Sequence, residues 1–167
     1  LTNQADVRGS SNNIGGIAGY VSNEAVFTSC PNAGAITSSG TAGGIVGYAA
    51  KAEMEECRNE GTVSARNCAG GLAGQLATAT ISNGANVGAI SDTNGYSGGI
   101  VGHMSAGRLQ DCENEGEISG GRYMGGIVGY MAGGEVDSCD NSGNITVSNN
   151  NSTAGGVVGE FGGSSGS

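Results

Sequence analysis

The sequence predicts an all-β protein, a parallel β-helix (β-solenoid) of about 5–6 coils of ~27–28 residues with three short strands per coil. Three observations carry this. The hexapeptide GGIVGY at residues 43 to 48 recurs unchanged at 125 to 130, with near copies at 15 to 20, 70 to 75, 98 to 103 and 155 to 160. The first glycine of each copy falls at 15, 43, 70, 98, 125 and 155, so the steps are 28, 27, 28, 27 and 30 residues. Between the copies runs a second anchor of the form C-x-N-x-G-x-(I/V)-(S/T), starting at Cys30, Cys57, Gly84, Cys112 and Cys139, with Gly84 as the one departure at the first column.

Along one repeat, the Cys anchor comes first. Its strict alternation is the period of a strand with one buried face, placing Cys, Asn, Gly and Ile inward. The intervening residues agree, since they include Arg58, Glu60, Glu113, Glu115, Glu117 and Asp140. The hexapeptide is the second apolar segment. A third column, Phe27, Met54, Ile81, Leu109 and Val136, stands three residues before the Cys column. Gly, Asn and Ser interrupt every stretch long enough for a helix. In a coil that repeats its backbone, a position forced to positive φ or to close backbone approach is forced there in every turn, and glycine meets either demand. Leu1 stands at the Cys column of a partial repeat, so the chain reads as starting inside a coil.

Composition narrows the function classes. With 35 glycines, no Trp, two Phe and five Tyr in 167 residues, only a thin interior can be filled. A net charge of −9 with six Lys plus Arg gives no basic patch for phosphates, so no nucleic-acid partner is expected. No run of ~18 apolar residues occurs, and no membrane insertion is expected.

The hexapeptide core, Gly16, Ile17, Ala18 and Gly19 with equivalents at 44 to 47, 71 to 74, 99 to 102, 126 to 129 and 156 to 159, together with the downstream Cys-Asn-Gly-Ile anchor, resembles the GLUG-motif repeats of large bacterial surface proteins. Those include the non-catalytic regions of IgA-specific metallopeptidases and adhesin-like proteins. The resemblance covers roughly residues 1 to 160 and implies an extracellular or cell-surface setting. It brings no catalytic residue, and the zinc-peptidase signature H-E-x-x-H is absent from a chain with one His.

Four constellations are candidates for a role. The Asn column, Asn32, Asn59, Asn86, Asn114 and Asn141, reads as a structural ladder in which stacked amides bond one another and the turn backbone. The Cys column, Cys30, Cys57, Cys112 and Cys139, reads as buried free thiols, because in-register strands hold Cβ atoms wider apart than a disulfide prefers and ligands strung along an axis cannot surround one metal ion. Cys68, outside that column, reads as a loop thiol. The clustered carboxylates read as a solvated face, with Glu113 and Asp140 near enough for mutual perturbation or for sharing calcium.

The sharpest candidate for ligand binding is the hexapeptide stripe. If Ile and the third motif glycine (Gly19, Gly47 and their equivalents) face inward, Ala18, Val46, Ala73, Val101, Val128 and Val158 face outward beside Tyr20, Tyr48, His103 and Tyr130. Exposed aromatics on a flat sheet suit stacking on a sugar or docking of a module, whereas stacked Tyr and Val also stabilise a sheet with no partner. The expected organisation is one solenoid domain over residues 1–160 and a Gly/Ser-rich tail or linker over 161–167. The expected function is a non-enzymatic structural or adhesive module with a host glycan or protein as partner, without cofactor or metal. The alternative is a polysaccharide-active enzyme or an accessory module of a secreted peptidase. Uncapped ends also suggest end-to-end or side-by-side self-association.

Overall fold

Short runs of β-branched and small residues, each closed by Gly, Asn or Ser, leave room only for short strands. The computed structural model describes residues 1–10 and 12–162, and these wind into an all-β solenoid of parallel strands. Three sheets have six strands and two have five, giving about six turns. Register keeps like over like. Along the first sheet Val7 pairs with Ile36, Ile36 with Val63, Val63 with Ile90, Ile90 with Ile118 and Ile118 with Ile145.

Each full coil carries five strands rather than the expected three. In the second coil they are Ile36–Ser38, Thr41–Gly43, Val46–Ala49, Glu53–Glu55 and Arg58–Asn59, and the corresponding sheets are called first to fifth below. The apolar segments counted along the sequence are divided by bends that hydrophobicity does not report. One bend follows the glycine pair of the hexapeptide. Another falls on the residue before the Cys column, where Ser29, Glu56, Asn83, Asp111 and Ser138 adopt φ values of 49° to 54°. Such left-handed backbone suits Asn and short polar residues and is unfavourable for a longer side chain. Glu56, whose carboxylate accepts an exposed bond from the Ser29 hydroxyl at 3.0 Å, is the ill-suited member. Glu56→Asn is therefore expected to gain roughly 0.5–1 kcal/mol, read as a higher urea midpoint at unchanged slope. An unchanged or lower midpoint would refute the strain at this corner.

The hexapeptide valines correct an expectation. Val46, Ala73, Val101 and Val128 are fully buried and share a core with Ile45, Leu72, Ile100 and Ile127. Alternation fails because two successive amides, those of Ile45 and Val46, donate to the single carbonyl of Leu72 at 3.0 and 2.9 Å, and each neighbouring coil does the same. This bulged corner turns two consecutive side chains inward.

Glycine in the motif answers to close approach, since the described glycines with positive φ are Gly107, Gly120, Gly121 and Gly134, none of them in a hexapeptide. A Cβ on the second motif glycine, such as Gly71, would overlap the carbonyl oxygen of Gly99 and the side chain of Asn86. On the third, Gly47, it would lie 2.7 Å from the Ile14 amide nitrogen, in the backbone of the second sheet. The same crowding runs along the axis, where Gly16, Gly44, Gly99 and Gly126 face Asn32, Asn59, Asn114 and Asn141. Asn ladder and glycine corner thus meet across the interior and divide it into two apolar columns. One holds Phe27, Met54, Ile81 and Leu109 with the hexapeptide aliphatics; the other holds Ile36, Val63, Ile90, Ile118 and Met124.

Gly84, the exception in the Cys column, has a packing reason. Its coil carries Leu72 where others carry Ile or Val, and a Cβ on Gly84 would sit 2.5 Å from Leu72 Cδ1. The longer leucine occupies the volume a cysteine would need.

Candidate functional site

Two columns of outward side chains run side by side where the second and third sheets meet. The second sheet contributes Asn13, Thr41, Cys68, Tyr96, Tyr123 and Thr153, paired in register. The third contributes Tyr20, Tyr48, Gln75, His103, Tyr130 and Glu160. Tyr20 and Tyr48 stack with centroids 5.1 Å apart and planes at 16°. Gln75 interrupts the column, and beyond it lies a second group. His103 stacks on Tyr130 at 5.4 Å, and Tyr96 from the neighbouring sheet stacks on both, at 5.4 and 5.1 Å. Tyr123 joins through Tyr96 at 5.6 Å.

The aromatic group therefore spans both sheets. Tyr96 and Tyr123 did not stand out in the sequence, although each lies two residues before the first glycine of a hexapeptide, the same offset as Asn13, Thr41, Cys68 and Thr153. The rings stack both along the axis and across the two sheets, so they cover one another's faces. Tyr20 at 57% is the exposed ring, while Tyr48, Tyr96, His103, Tyr123 and Tyr130 are half-buried. A shallow groove of about 360 Å³ lies beside Tyr20 and Tyr48, lined also by Asn13, Thr41 and Gln75. Burial pushes the His103 pKa below its ordinary value, so the imidazole is neutral at neutral pH; burial, then the neighbouring Cys68 and tyrosines, pushes Tyr96 up.

Cys68 corrects another expectation. It opens the strand Cys68–Gly70, is buried, and accepts a bond from Gln75 Nε2 at 3.5 Å. Burial raises its pKa to about 11, which leaves the thiol protonated and unreactive at neutral pH.

The Asn column forms one chain of hydrogen bonds. Asn3 Nδ2 donates to Asn32 Oδ1 at 2.7 Å, Asn32 to Asn59 at 2.8 Å, Asn59 to Asn86 and Asn86 to Asn114 at 2.7 Å, and Asn114 to Asn141 at 2.8 Å. Each Nδ2 also donates to the carbonyl two residues on, as Asn86 does to Gly88 at 2.9 Å. Asn32, Asn59, Asn86 and Asn114 are buried with both donors engaged. Cys30, Cys57, Cys112 and Cys139 are free thiols, the first three buried and Cys139 half-exposed. Burial lifts the Cys57 pKa to about 11. Cys112 and Cys139 form a pair: the Cys112 backbone amide donates to Cys139 Sγ at 3.4 Å while the Cys112 thiol donates to the Gln110 carbonyl at 3.4 Å, and the proximity of the two thiols pulls Cys139 down and, with burial, pushes Cys112 up.

The clustered carboxylates of the second, fourth and fifth coils stay outside, whereas Asp92 is buried, its Oδ1 accepting from the Asn94 and Gly95 amides, and burial raises its pKa. Glu113 and Asp140 are register partners, and Arg108 bridges Glu135 at 3.7 Å and Asp137 at 3.3 Å. Among the described residues no group of three or more His, Cys, Asp or Glu could hold a metal ion, and no helix is long and apolar enough to cross a membrane. Comparison with curated proteins gave no match, nor did comparison with solved structures. The family model for the GLUG motif matches residues 38–64, a span that runs from the end of one first-sheet strand to the next. The matched segment carries the GLUG motif and is one coil of a pattern the other coils repeat, which supports a GLUG-motif repeat region, and the chain is wound as a β-solenoid.

Proposed function

We propose that this solenoid is a non-enzymatic repeat module of a secreted or cell-surface bacterial protein, acting as a stiff spacer that presents the Tyr20, Tyr48, His103 and Tyr130 face to a host glycan or protein. The observation that carries the reading is the uninterrupted stacking of coils. Every sheet pairs coil to coil, so length grows by ~4.8 Å per repeat without a new fold. A surface that repeats along an axis offers like groups at regular intervals, which suits an extended partner. Stacking holds the half-buried tyrosine rings at fixed positions, with little side-chain freedom to lose on binding.

The test is an array of host glycans and matrix proteins probed with the wild-type chain beside a Tyr20→Ala, Tyr48→Ala, Tyr130→Ala variant whose fold is checked by circular dichroism. Binding by the wild type that the variant loses is the expected result. Equal binding by both would remove the aromatic face from the proposal. Release of reducing ends from a polysaccharide panel would overturn the non-enzymatic reading.

A further inference from the structure

In a solenoid, each departure from the repeat adds something the stacking does not require. The largest departure lies at the corner between the first and second sheets. Three residues, 120 to 122, join Ser119 to Tyr123, whereas six, 147 to 152, join Thr146 to Thr153 in the next coil. The longer segment is tied down over the shorter one: the Ser152 hydroxyl donates to the Gly121 carbonyl at 2.8 Å, and the Thr153 amide donates to the Arg122 carbonyl at 2.8 Å. Beneath it Gly120 and Gly121 both take left-handed φ, 71° and 80°, which no other adjacent pair of described residues does. Between the two connections and Asn94 of the preceding coil lies a surface basin of about 710 Å³.

The lining of this basin is chemically uniform. It consists of Thr, Asn and Ser side chains, one glycine and Arg122, with no apolar side chain. Arg122 is exposed, makes no ion pair among the described residues, and rests its guanidinium 5.1 Å from the Tyr123 ring centroid. An aromatic backing fixes the planar fork, and a guanidinium is weakly hydrated, so it is available to a carboxylate. A second unpaired cation, Arg66, lies on the same corner; its carbonyl accepts from the Asn94 amide at 3.2 Å, which puts it two coils, or about 10 Å, from Arg122 along the axis.

We infer that this basin binds a carboxylate-bearing saccharide, with Arg122 holding the carboxylate and the amides of Asn94 and residues 149 to 151 reading the hydroxyls. Amides and hydroxyls match the alternating donors and acceptors of a sugar, and the absence of an apolar pocket disfavours a peptide side chain. Arg66 stands where a neighbouring acidic unit of the same chain would pass. The inference rests on the glycan-binding part of the proposed function and moves the binding site one corner over and three coils along from Tyr48.

The test is an NMR titration of the ¹⁵N-labelled chain with trigalacturonate, beside its methyl ester and an acidic peptide of equal charge. Trigalacturonate is expected to shift the amides of residues 94, 121, 122 and 149 to 152 in a saturable way, and the other two probes are expected not to. Arg122→Lys should weaken binding roughly tenfold by losing the bidentate fork, and Arg122→Met, which keeps the aliphatic stem, should abolish it. Equal binding of the peptide would overturn the saccharide assignment, and equal binding of the ester would overturn the carboxylate. Shifts spread evenly over Arg8, Lys51 and Arg58, or confined to Tyr20 and Tyr48, would overturn the location. Failure here with glycan binding retained on the tyrosine face would leave the proposed function standing.

Discussion

Asn86→Ala is expected to remove about 3–5 kcal/mol of unfolding free energy, a large part of the 5–15 kcal/mol that holds an ordinary domain together. The alanine breaks the 2.7 Å bonds to Asn59 and Asn114 and the 2.9 Å bond to the Gly88 carbonyl. Asn59 then keeps a buried N–H with no acceptor and the Gly88 carbonyl loses its side-chain donor. Each stranded group costs about 1–3 kcal/mol, and the void beside the glycine corner adds to this. Asn86→Asp should be worse at neutral pH, because a carboxylate cannot donate and would face the Asn114 and Gly88 oxygens without water.

The pH dependence of the aspartate variant separates hydrogen bonding from loss of shape. Burial without donors raises the carboxyl pKa in the folded chain above its unfolded value, so the folded state binds the proton more tightly. Relative to wild type, the variant should regain stability as pH falls through that raised pKa and lose it as pH rises. Urea melts at pH 5 and pH 8 for both proteins read the difference. A gap to wild type that stays constant with pH, or an alanine variant within 1 kcal/mol of wild type, would show that the ladder contributes packing alone.

Gly71→Ala is the second large effect. Its methyl would meet the Gly99 carbonyl oxygen and come within 2.7 Å of Asn86 Cβ, and neither the backbone nor the bonded amide can move aside. A loss above about 4 kcal/mol, or failure to reach a cooperative fold, is expected. The control is built into the chain. Gly156 holds the same motif position in the last coil, and a Cβ there has nothing within 4 Å. Gly156→Ala should stay within about 0.5 kcal/mol of wild type. Equal melting temperatures for the two variants would refute close approach as the reason for the second motif glycine.

Much of this architecture is legible in the sequence because stacking converts a linear period into spatial neighbours. Once Asn32, Asn59, Asn86, Asn114 and Asn141 share a column, their vertical contacts follow with no knowledge of the coil's outline. The outline itself is harder to read. Alternation places a side chain only while the strand is straight, and it failed at Val46 because two amides share one carbonyl at the corner. It also undercounted strands, since the bend at Glu56 rests on a backbone angle that hydrophobicity does not encode. The aromatic site was half visible for a related reason. Periodicity identifies Tyr48, His103 and Tyr130 as members of one column, but which other column faces it depends on the angle at the glycine pair. Tyr96 and Tyr123 were therefore missed, and Cys68 was mistaken for part of a loop.

The asparagine amides all donate in one sense, from each repeat toward the following one. A duplicated segment inserted between any two coils would arrive with one outgoing donor and one incoming acceptor, and its neighbours would notice no change. Gene-level expansion and contraction can thus alter reach while leaving every internal partnership intact. Reversing a single segment, by contrast, would set like groups against each other, so such arrays are free to vary in number but not in polarity.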